Sequence, residues 1–191
     1  MALSKNRIKY IRSLELKKNR KADKVFLAEG PKLVGDLLGH FRCRFLIATV
    51  EWLSAHRQLP VEDITEVSEK ELSCASLLKT PQQVLAVFEQ PDEVMDASVV
   101  AHSLCLALDD VQDPGNLGTI IRLADWFGIE HIFCSPNTVD AYNPKTIQAT
   151  MGGIARVKLH YNNAACRRNS AQTTAVAIAT FKDSEVSRVD G

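Results

Sequence analysis

Residues 103–133 read SLCLALDDVQDPGNLGTIIRLADWFGIEHIF, and this stretch decides the fold class. The apolar run at 103–108 is typical of a strand that is buried on both faces. Three aspartates at 109, 110 and 113, a proline and a Gly-Asn-Leu-Gly tetrapeptide interrupt it, and helical spacing of apolar residues follows over 117–127. A second strand is predicted at 129–134. The strand–helix–strand order indicates parallel pairing with right-handed crossovers.

The same alternation extends in both directions. NPKTIQATMGGIA (143–155) predicts a helix with Asn143 as N-cap and Pro144 at its first position, and strands are predicted at 156–161 and 175–181. Residues 1–90 also alternate strands and helices, beginning with a basic helix at 4–24. We therefore predict an α/β protein with a small module at 1–90, a linker at 91–98 and a second domain, an open parallel sheet with helices on both faces, at 99–191.

Composition excludes several classes of protein. No apolar run approaches the ~20 residues that cross a bilayer, and the cationic start has no apolar core behind it, so we predict neither a membrane protein nor a secretory signal. The five cysteines lie about thirty residues apart without a C-x-x-C pair, which argues against a zinc site and against a disulfide framework. We predict no metal and a reducing, cytoplasmic location.

The formal net charge of zero hides an asymmetry. Residues 1–24, the basic leader, carry nine basic and two acidic side chains, a net charge of +7, whereas the rest of the chain carries −7. A basic leader on an acidic body suggests contact with a polyanion. A solvated helix with a cationic face explains the same run, and the sequence leaves both interpretations open.

The polar turn at 109–116 precedes a helix, where ligands bind in open parallel sheets. Gly115 and Gly118 allow a tight turn or close approach to a ligand, and Arg122, expected within the first two turns, offers a planar fork of donors for phosphate. Structural roles would explain the same residues. Asn116 would then be a helix cap, and Arg122 would form an ion pair with Asp125 or with one of the two aspartates at 109–110. No P-loop and no dinucleotide-binding glycine pattern occurs.

DDVQDPGNLGTIIRLADWFGI (109–129) resembles motif 1 of the SpoU (TrmH-like) RNA 2′-O-ribose methyltransferases of the SPOUT superfamily and meets every fixed position of D-x-[IVL]-x-D-P-x-N-x-G-x-x-x-R-x-A. VDAYNPKTIQATMGGIARVKL (139–159) is similar to a second segment of that family, in which Gln148 stands where arginine is common. VFLAEGPKLVGDLL (25–38) and KTPQQVLAVFE (79–89) resemble the substrate-binding module that precedes the catalytic domain.

The resemblance implies methyl transfer from S-adenosylmethionine to a ribose 2′-hydroxyl of tRNA or rRNA. It implies Arg122 and Asn116 as catalytic residues. Arginine has a pKa above 12, so we expect Arg122 to hold a phosphate and steady the developing alkoxide rather than act as a base. It also implies a homodimer and a set of RNA contacts: Glu29, Gly30, Lys32 and Lys145.

Two further motifs of the family, G-x-E-x-x-G and P-M-x-x-x-x-x-S-L-N, do not occur by Gly191. They form the knotted region that holds the methyl donor, so we expect a partial catalytic domain in these 191 residues, without detectable donor binding. Dimerisation should also be poor, because the apolar faces of the helices at 117–127 and 147–154 are expected to be under-covered.

The alternative function is an RNA-binding module without methyl transfer. A nucleotide-binding metabolic enzyme is disfavoured by the missing phosphate-loop glycines.

Overall fold

A computed structural model describes residues 3–92, 103–161 and 176–180 of the chain. Its first part holds a mixed four-stranded sheet in the order β1-β4-β2-β3, in which β4 is antiparallel to both neighbours and β2 is parallel to β3. The elements are α1 (Lys5–Ser13), α2 (Lys17–Asp23), β1 (Val25–Glu29), α3 (Pro31–Leu37), β2 (Cys43–Ala48), α4 (Val50–Ala55), β3 (Ile64–Glu66), α5 (Glu69–Ala75) and β4 (Val84–Glu89).

The second part holds a four-stranded sheet in the order β7-β6-β5-β8, with all three pairings parallel. Its elements are β5 (Cys105–Asp109), α6 (Pro114–Trp126), β6 (His131–Cys134), α7 (Pro144–Thr150), a 3-10 helix (Gly153–Ala155), β7 (Lys158–Tyr161) and β8 (Val176–Thr180). The predicted α/β class and parallel sheet are confirmed. The two sheets lie within the two predicted domains, whose boundaries stay a prediction; of the proposed linker, 93–98 lie outside the described residues.

The basic leader forms two helices rather than the single helix predicted. Ser4 caps α1 by accepting a hydrogen bond from the backbone N–H of Arg7. Leu14 is fully buried with Ile11 against the first sheet, and the chain turns there before α2 begins. Burial of this apolar pair fixes both helices to the module, so the leader is an integral part of the fold.

One apolar core joins the two sheets. Phe26 of β1 and Val34 of α3 belong to the same buried cluster as Leu117 and Ile121 of α6 and Ile147 of α7. The expectation that the helices at 117–127 and 147–154 are under-covered is wrong for these core positions, because Leu117, Ile121 and Ile147 are fully buried and α7 contacts both α6 and β1. Phe127 is the exception: it was predicted on the apolar face, yet it is 72% exposed.

The structure also describes the helix lengths, cysteines and possible metal ligands that bear on membrane proteins, disulfide frameworks and metal sites. No helix among the described residues is long and apolar enough to cross a membrane. Cys43, Cys105 and Cys134 are buried and Cys74 is exposed, all as free thiols, while Cys166 lies outside the described residues. Within the described ranges no group of three side chains is arranged to hold a metal ion.

Candidate functional site

The loops after β5 and β6 are tied together at the carboxyl edge of the parallel sheet. The backbone N–H of Ser135 donates to the carbonyl of Leu108 over 2.9 Å, and the hydroxyl of Ser135 accepts from the N–H of Asp110 over 3.0 Å. Farther along, the N–H of Val139 donates to the carbonyl of Val111 over 2.8 Å. Asp110 has a φ of 56°, a backbone conformation that costs energy for most residues and is held here by these bonds.

Helix α6 begins within the glycine-rich motif. Asp113 is the N-cap: its carboxylate accepts from the N–H of Asn116 over 2.7 Å, and Pro114 takes the first helical position. The interpretation of Asn116 as the cap is therefore wrong. Asn116 is the third residue of the helix and is exposed. A Cβ at Gly115 would lie 3.0 Å from Oδ1 of Asp113, so a larger residue there would crowd the capping carboxylate.

Gly118 brings α6 against α7. A Cβ at this position would lie 2.4 Å from the Cβ of Ala149 and 2.7 Å from the carbonyl oxygen of Thr146. The sequence suggested a turn or close approach to a ligand, but Gly118 lies inside the helix and its close approach is to a second helix. This packing holds the amino ends of α6 and α7 side by side.

Arg122 is the ninth residue of α6 and therefore lies in its third turn, later than expected. It is exposed and lies next to Gly153, whose position allows close packing on the Cα of Arg122. The predicted alternative partner Asp125 is bound by Arg156, through two hydrogen bonds of 2.6 and 2.7 Å; this hydrogen bonding lowers the pKa of Asp125. Within 3–92 and 103–161, no carboxylate pairs with Arg122.

Hydrogen bonds also hold the loop at 136–143 and the start of α7. The hydroxyl of Tyr161 donates to the carbonyl of Val139 over 2.6 Å and accepts from the N–H of Ala141 over 2.8 Å. Asn143 caps α7 by accepting from the N–H of Lys145 over 2.9 Å, as predicted. Burial raises the pKa of Tyr161, so its hydroxyl stays neutral and keeps both bonds.

A cleft of about 640 Å³ separates these helix starts from the first module. It is lined from both sides, by Leu27, Glu29, Pro114, Asn143, Lys145 and Gln148 among others. Glu29 is buried at the end of β1, where its carboxylate accepts from the hydroxyl of Ser76 and from the N–H of Leu77. Burial raises the pKa of Glu29, and the two hydrogen bonds oppose that rise.

Gly30 and Lys32 lie on the other side of β1's end, in a smaller recess shared with Gln148. Gly30 has a φ of 103° and caps α3, and exposed Lys32 lies 3.6 Å from Asp36. The amide of Gln148 donates to the backbone carbonyl of Glu29 over 2.7 Å. The residue that departs from the family pattern thus joins α7 to the first module.

The structure places the predicted residues in two groups, one at the cleft between the modules and one, Arg122 and Asn116, on α6. Glu29 and Lys145 share the cleft, and Gly30 and Lys32 adjoin it through Gln148. Arg122 lies about 9 Å along the helix from Asn116, by the 1.5 Å rise per residue, and on a different face. Sequence reasoning missed Asp113, whose position before a proline was a detectable cap signal, and Tyr161, for which no local signal exists.

The chain matches known proteins over nearly all of its length. Residues 5–86 match the MRM3-like substrate binding domain, and residues 103–190 match the SpoU rRNA Methylase family. A structure from Porphyromonas gingivalis, assigned to the TrmH family of RNA methyltransferases, is 35% identical with a TM-score of 0.82 and covers 94% of this chain and 81% of that chain.

Other relatives are rRNA methyltransferases. An AdoMet-bound rRNA methyltransferase from Sinorhizobium meliloti is 33% identical with a TM-score of 0.72, covering 87% of this chain and 65% of that chain. The Bacillus subtilis 23S rRNA (guanosine(2553)-2′-O)-methyltransferase RlmP is 31% identical over 85% of this chain and 62% of its own length. The human mitochondrial rRNA methyltransferase 3 is 34% identical over 71% of this chain, which spans 34% of the human protein. With these matches over both sheets, the chain belongs to the SpoU (TrmH) family of RNA methyltransferases.

Proposed function

We propose that the protein transfers a methyl group from S-adenosylmethionine to a ribose 2′-hydroxyl of ribosomal RNA. The observation that carries this proposal is Arg122, a cation without a carboxylate partner in the described ranges, on the helix whose motif meets every fixed position of the family pattern. The names of the relatives support rRNA as the substrate, and an AdoMet-bound relative supports the donor.

Arg122 would hold an RNA phosphate next to the reacting ribose. A guanidinium forks onto two phosphate oxygens, and a nearby cation stabilises the alkoxide as the 2′-hydroxyl loses its proton. Its high intrinsic pKa makes it a poor base, so the proton leaves to the phosphate or to water. Asn116, exposed on the first turn of the same helix and on a different face from Arg122, would shape the motif loop at the site.

The cleft between the modules would hold the RNA around the target nucleotide. Lys145 contributes a cation on the catalytic side, and exposed Lys32 contributes one beside it on the first module. Gly30 allows the chain to turn there. The carboxylate of Glu29 is buried and already accepts hydrogen bonds from Ser76 and Leu77, so Glu29 would position this face rather than bind RNA directly.

S-adenosylmethionine supplies an electrophilic methyl group when bound. Of the described residues, Asn116, Lys145 and Arg122 offer an amide, an ammonium and a guanidinium, which suit the phosphate and hydroxyl oxygens of RNA. We assign no described residue to the donor. The described part of the chain performs the RNA side of the reaction.

We also propose a homodimer and a cytoplasmic, reducing location. Leu123, Trp126 and Phe127 on the outer face of α6 are 51%, 84% and 72% exposed, and an apolar group of this kind marks an association surface. A second copy placed there would lie beside Arg122 on the same helix. The four described cysteines are all free thiols, which suits a reducing compartment.

A methylation assay tests the proposed function. The full-length protein is incubated with rRNA and methyl-labelled S-adenosylmethionine, and the RNA is then hydrolysed in alkali. A 2′-O-methyl group blocks attack on the adjacent phosphodiester, so labelled dinucleotides resistant to alkali are the expected product. RNA binding without such dinucleotides would favour the RNA-binding module instead. Calorimetry with the donor separately tests the expectation that residues 1–191 do not bind it.

A further inference from the structure

A second cleft, away from Arg122, lies between α2 and the loop that leads into α7. Its volume is about 330 Å³, within the roughly 300–1,000 Å³ range of ligand sites. Lys17 and Lys21 line one side, and the opposite side is formed by Pro136, Asp140, Tyr142 and Tyr161. We refer to it as the lysine cleft.

Lys17 and Lys21 are the leader cations that the fold leaves available at this place. They stand four residues apart on α2 and are exposed. Other leader cations are occupied: Arg7 pairs with Asp63, Lys24 with Asp92, and Arg12 donates to two backbone carbonyls. In the described ranges, no carboxylate pairs with Lys17 or Lys21.

The one acidic group in the lysine cleft is already neutralised. Nη2 and Nε of Arg20 lie 2.6 and 3.3 Å from Oδ2 of Asp140, and Nη1 donates to the carbonyls of Leu14 and Glu15 over 2.7 Å each. Arg20 is only 1% exposed. Asp140 therefore does not repel an anion from the two lysines, and the cleft is cationic.

The far wall of the lysine cleft is aromatic and fixed. Tyr161 holds the loop through its two backbone hydrogen bonds. The ring of Tyr142 packs on Phe26 with centroids 5.1 Å apart, and its N–H donates to Oδ1 of Asp140 over 3.1 Å. Cations facing an aromatic wall form the usual arrangement for a nucleotide of single-stranded nucleic acid, with the phosphate on the cations and the base or ribose on the rings.

The wall of the lysine cleft continues directly into the candidate site. The same loop carries Asn143 and Lys145 at the start of α7, so a strand lying in this cleft is guided along the loop towards the cleft between the modules. We propose that the lysine cleft binds a nucleotide of single-stranded RNA flanking the methylated residue, with its phosphate on Lys17 and Lys21. This inference rests on the proposed function, because that function supplies RNA as the ligand.

A charge-reversal pair with a matched control tests the proposal. Lys17→Glu/Lys21→Glu is compared with Lys5→Glu/Lys9→Glu, which changes the same charge at the same spacing on exposed positions of α1. Affinity for a single-stranded RNA oligonucleotide is measured from 50 to 300 mM salt, roughly the range over which phosphate binding depends on salt. We expect the α2 variant to bind about tenfold more weakly, with a salt slope shallower by about 0.7 for each phosphate that is no longer neutralised. The α1 variant should lose less than half as much in log affinity.

Equal losses in the two variants would overturn the proposal, since the leader would then act as diffuse charge. Failure of the unaltered chain to bind the oligonucleotide would overturn it as well. Unfolding midpoints of both variants verify the fold, and Lys17→Gln/Lys21→Gln gives the same comparison without added negative charge. RNA binding without methyl transfer by the full-length protein would defeat the proposed function and leave the lysine cleft standing.

Discussion

Arg122 presents an exposed guanidinium on the motif helix, while Arg156 beside it is held by Asp125. We expect Arg122→Ala to lower methyl transfer by about 10²–10³-fold, the usual loss when a donor aimed at developing charge is removed. Arg122→Lys should recover only part of this, because an ammonium cannot fork onto a phosphate. Initial rates of methyl transfer to rRNA by the full-length protein measure the effect. Wild-type turnover with an unchanged unfolding midpoint would exclude this role.

Gly118 and Gly35 are glycines inside helices with opposite surroundings. A Cβ at Gly118 would meet Ala149 at 2.4 Å, whereas nothing lies within 4 Å of a Cβ at Gly35. We expect Gly118→Ala to destabilise the fold by about 1–3 kcal/mol through overpacking. Gly35→Ala should stabilise it by about 0.5–1 kcal/mol, because alanine restricts the unfolded chain and favours a helix. Urea unfolding of both variants gives the comparison, and equal midpoints would show that α6 and α7 separate at little cost.

Among the elements, α2 is joined to the loop before α7 by the buried pair of Arg20 and Asp140. Arg20→Met leaves Asp140 without its partner, and we expect a loss of about 3–5 kcal/mol in the free energy of unfolding. Lys24→Met, which breaks a pair exposed on both sides, should leave the free energy unchanged within error. Denaturant titrations measure both. If Arg20→Met were as stable as Lys24→Met, the pair would not hold the modules together.

His131 of β6 and His160 of β7 form a polar contact between neighbouring strands. Nδ1 of His131 and Nε2 of His160 are 3.0 Å apart in a buried stack. Burial lowers the pKa of both rings, with Lys158 adding to the effect and Glu130 opposing it at His131. Because the folded state binds fewer protons than the unfolded state, stability is present above the ordinary histidine pKa of ~6.5 and is lost as pH falls below it.

We expect His160→Phe to reduce that acid sensitivity, since phenylalanine can stack on Phe133 as His160 does and does not titrate. Urea midpoints at a series of pH values between roughly 7.5 and 5.5 test it above the range in which carboxylates titrate. Parallel pH profiles for the variant and the unaltered chain would mean that the pair does not contribute.

At the scale of the whole molecule, the exposed apolar face of α6 is the proposed contact between copies. Trp126→Glu places a charge at its centre, and we expect a shift from dimer to monomer in light scattering without loss of the fold. Trp52 is buried in the first module, so its fluorescence reports folding independently of the substitution. A mass that is the same for both proteins would place the contact elsewhere.

The leader also acts at this scale, because it combines surface charge with side chains that belong to the core. Deleting residues 1–24 would remove Ile11, Leu14 and Arg20, all buried, and so would disturb the core together with the charge. Reversal of exposed lysines separates the two effects. The net charge of the leader was readable from the sequence, but which cations remain available depends on carboxylates and carbonyls that are distant along the chain.

The sequence by itself determined the features that are local. The alternation of apolar strands and helices predicted the parallel sheet. Asn143 with Pro144 predicted a cap that the structure contains, and the motif at 109–124 pointed to the family. Each depends on residues within a few positions of one another, where backbone geometry and hydrogen bonding are set by near neighbours.

Only the tertiary structure decided the features that join distant residues. Gly118 faces Ala149 because α6 and α7 pack together, and Gln148 reaches the carbonyl of Glu29 because β1 lies against α7. The pairing of Arg20 with Asp140 spans 120 positions. Sequence spacing carries no signal for such contacts, since burial of the shared core brings their residues together and only then fixes which polar groups must be paired.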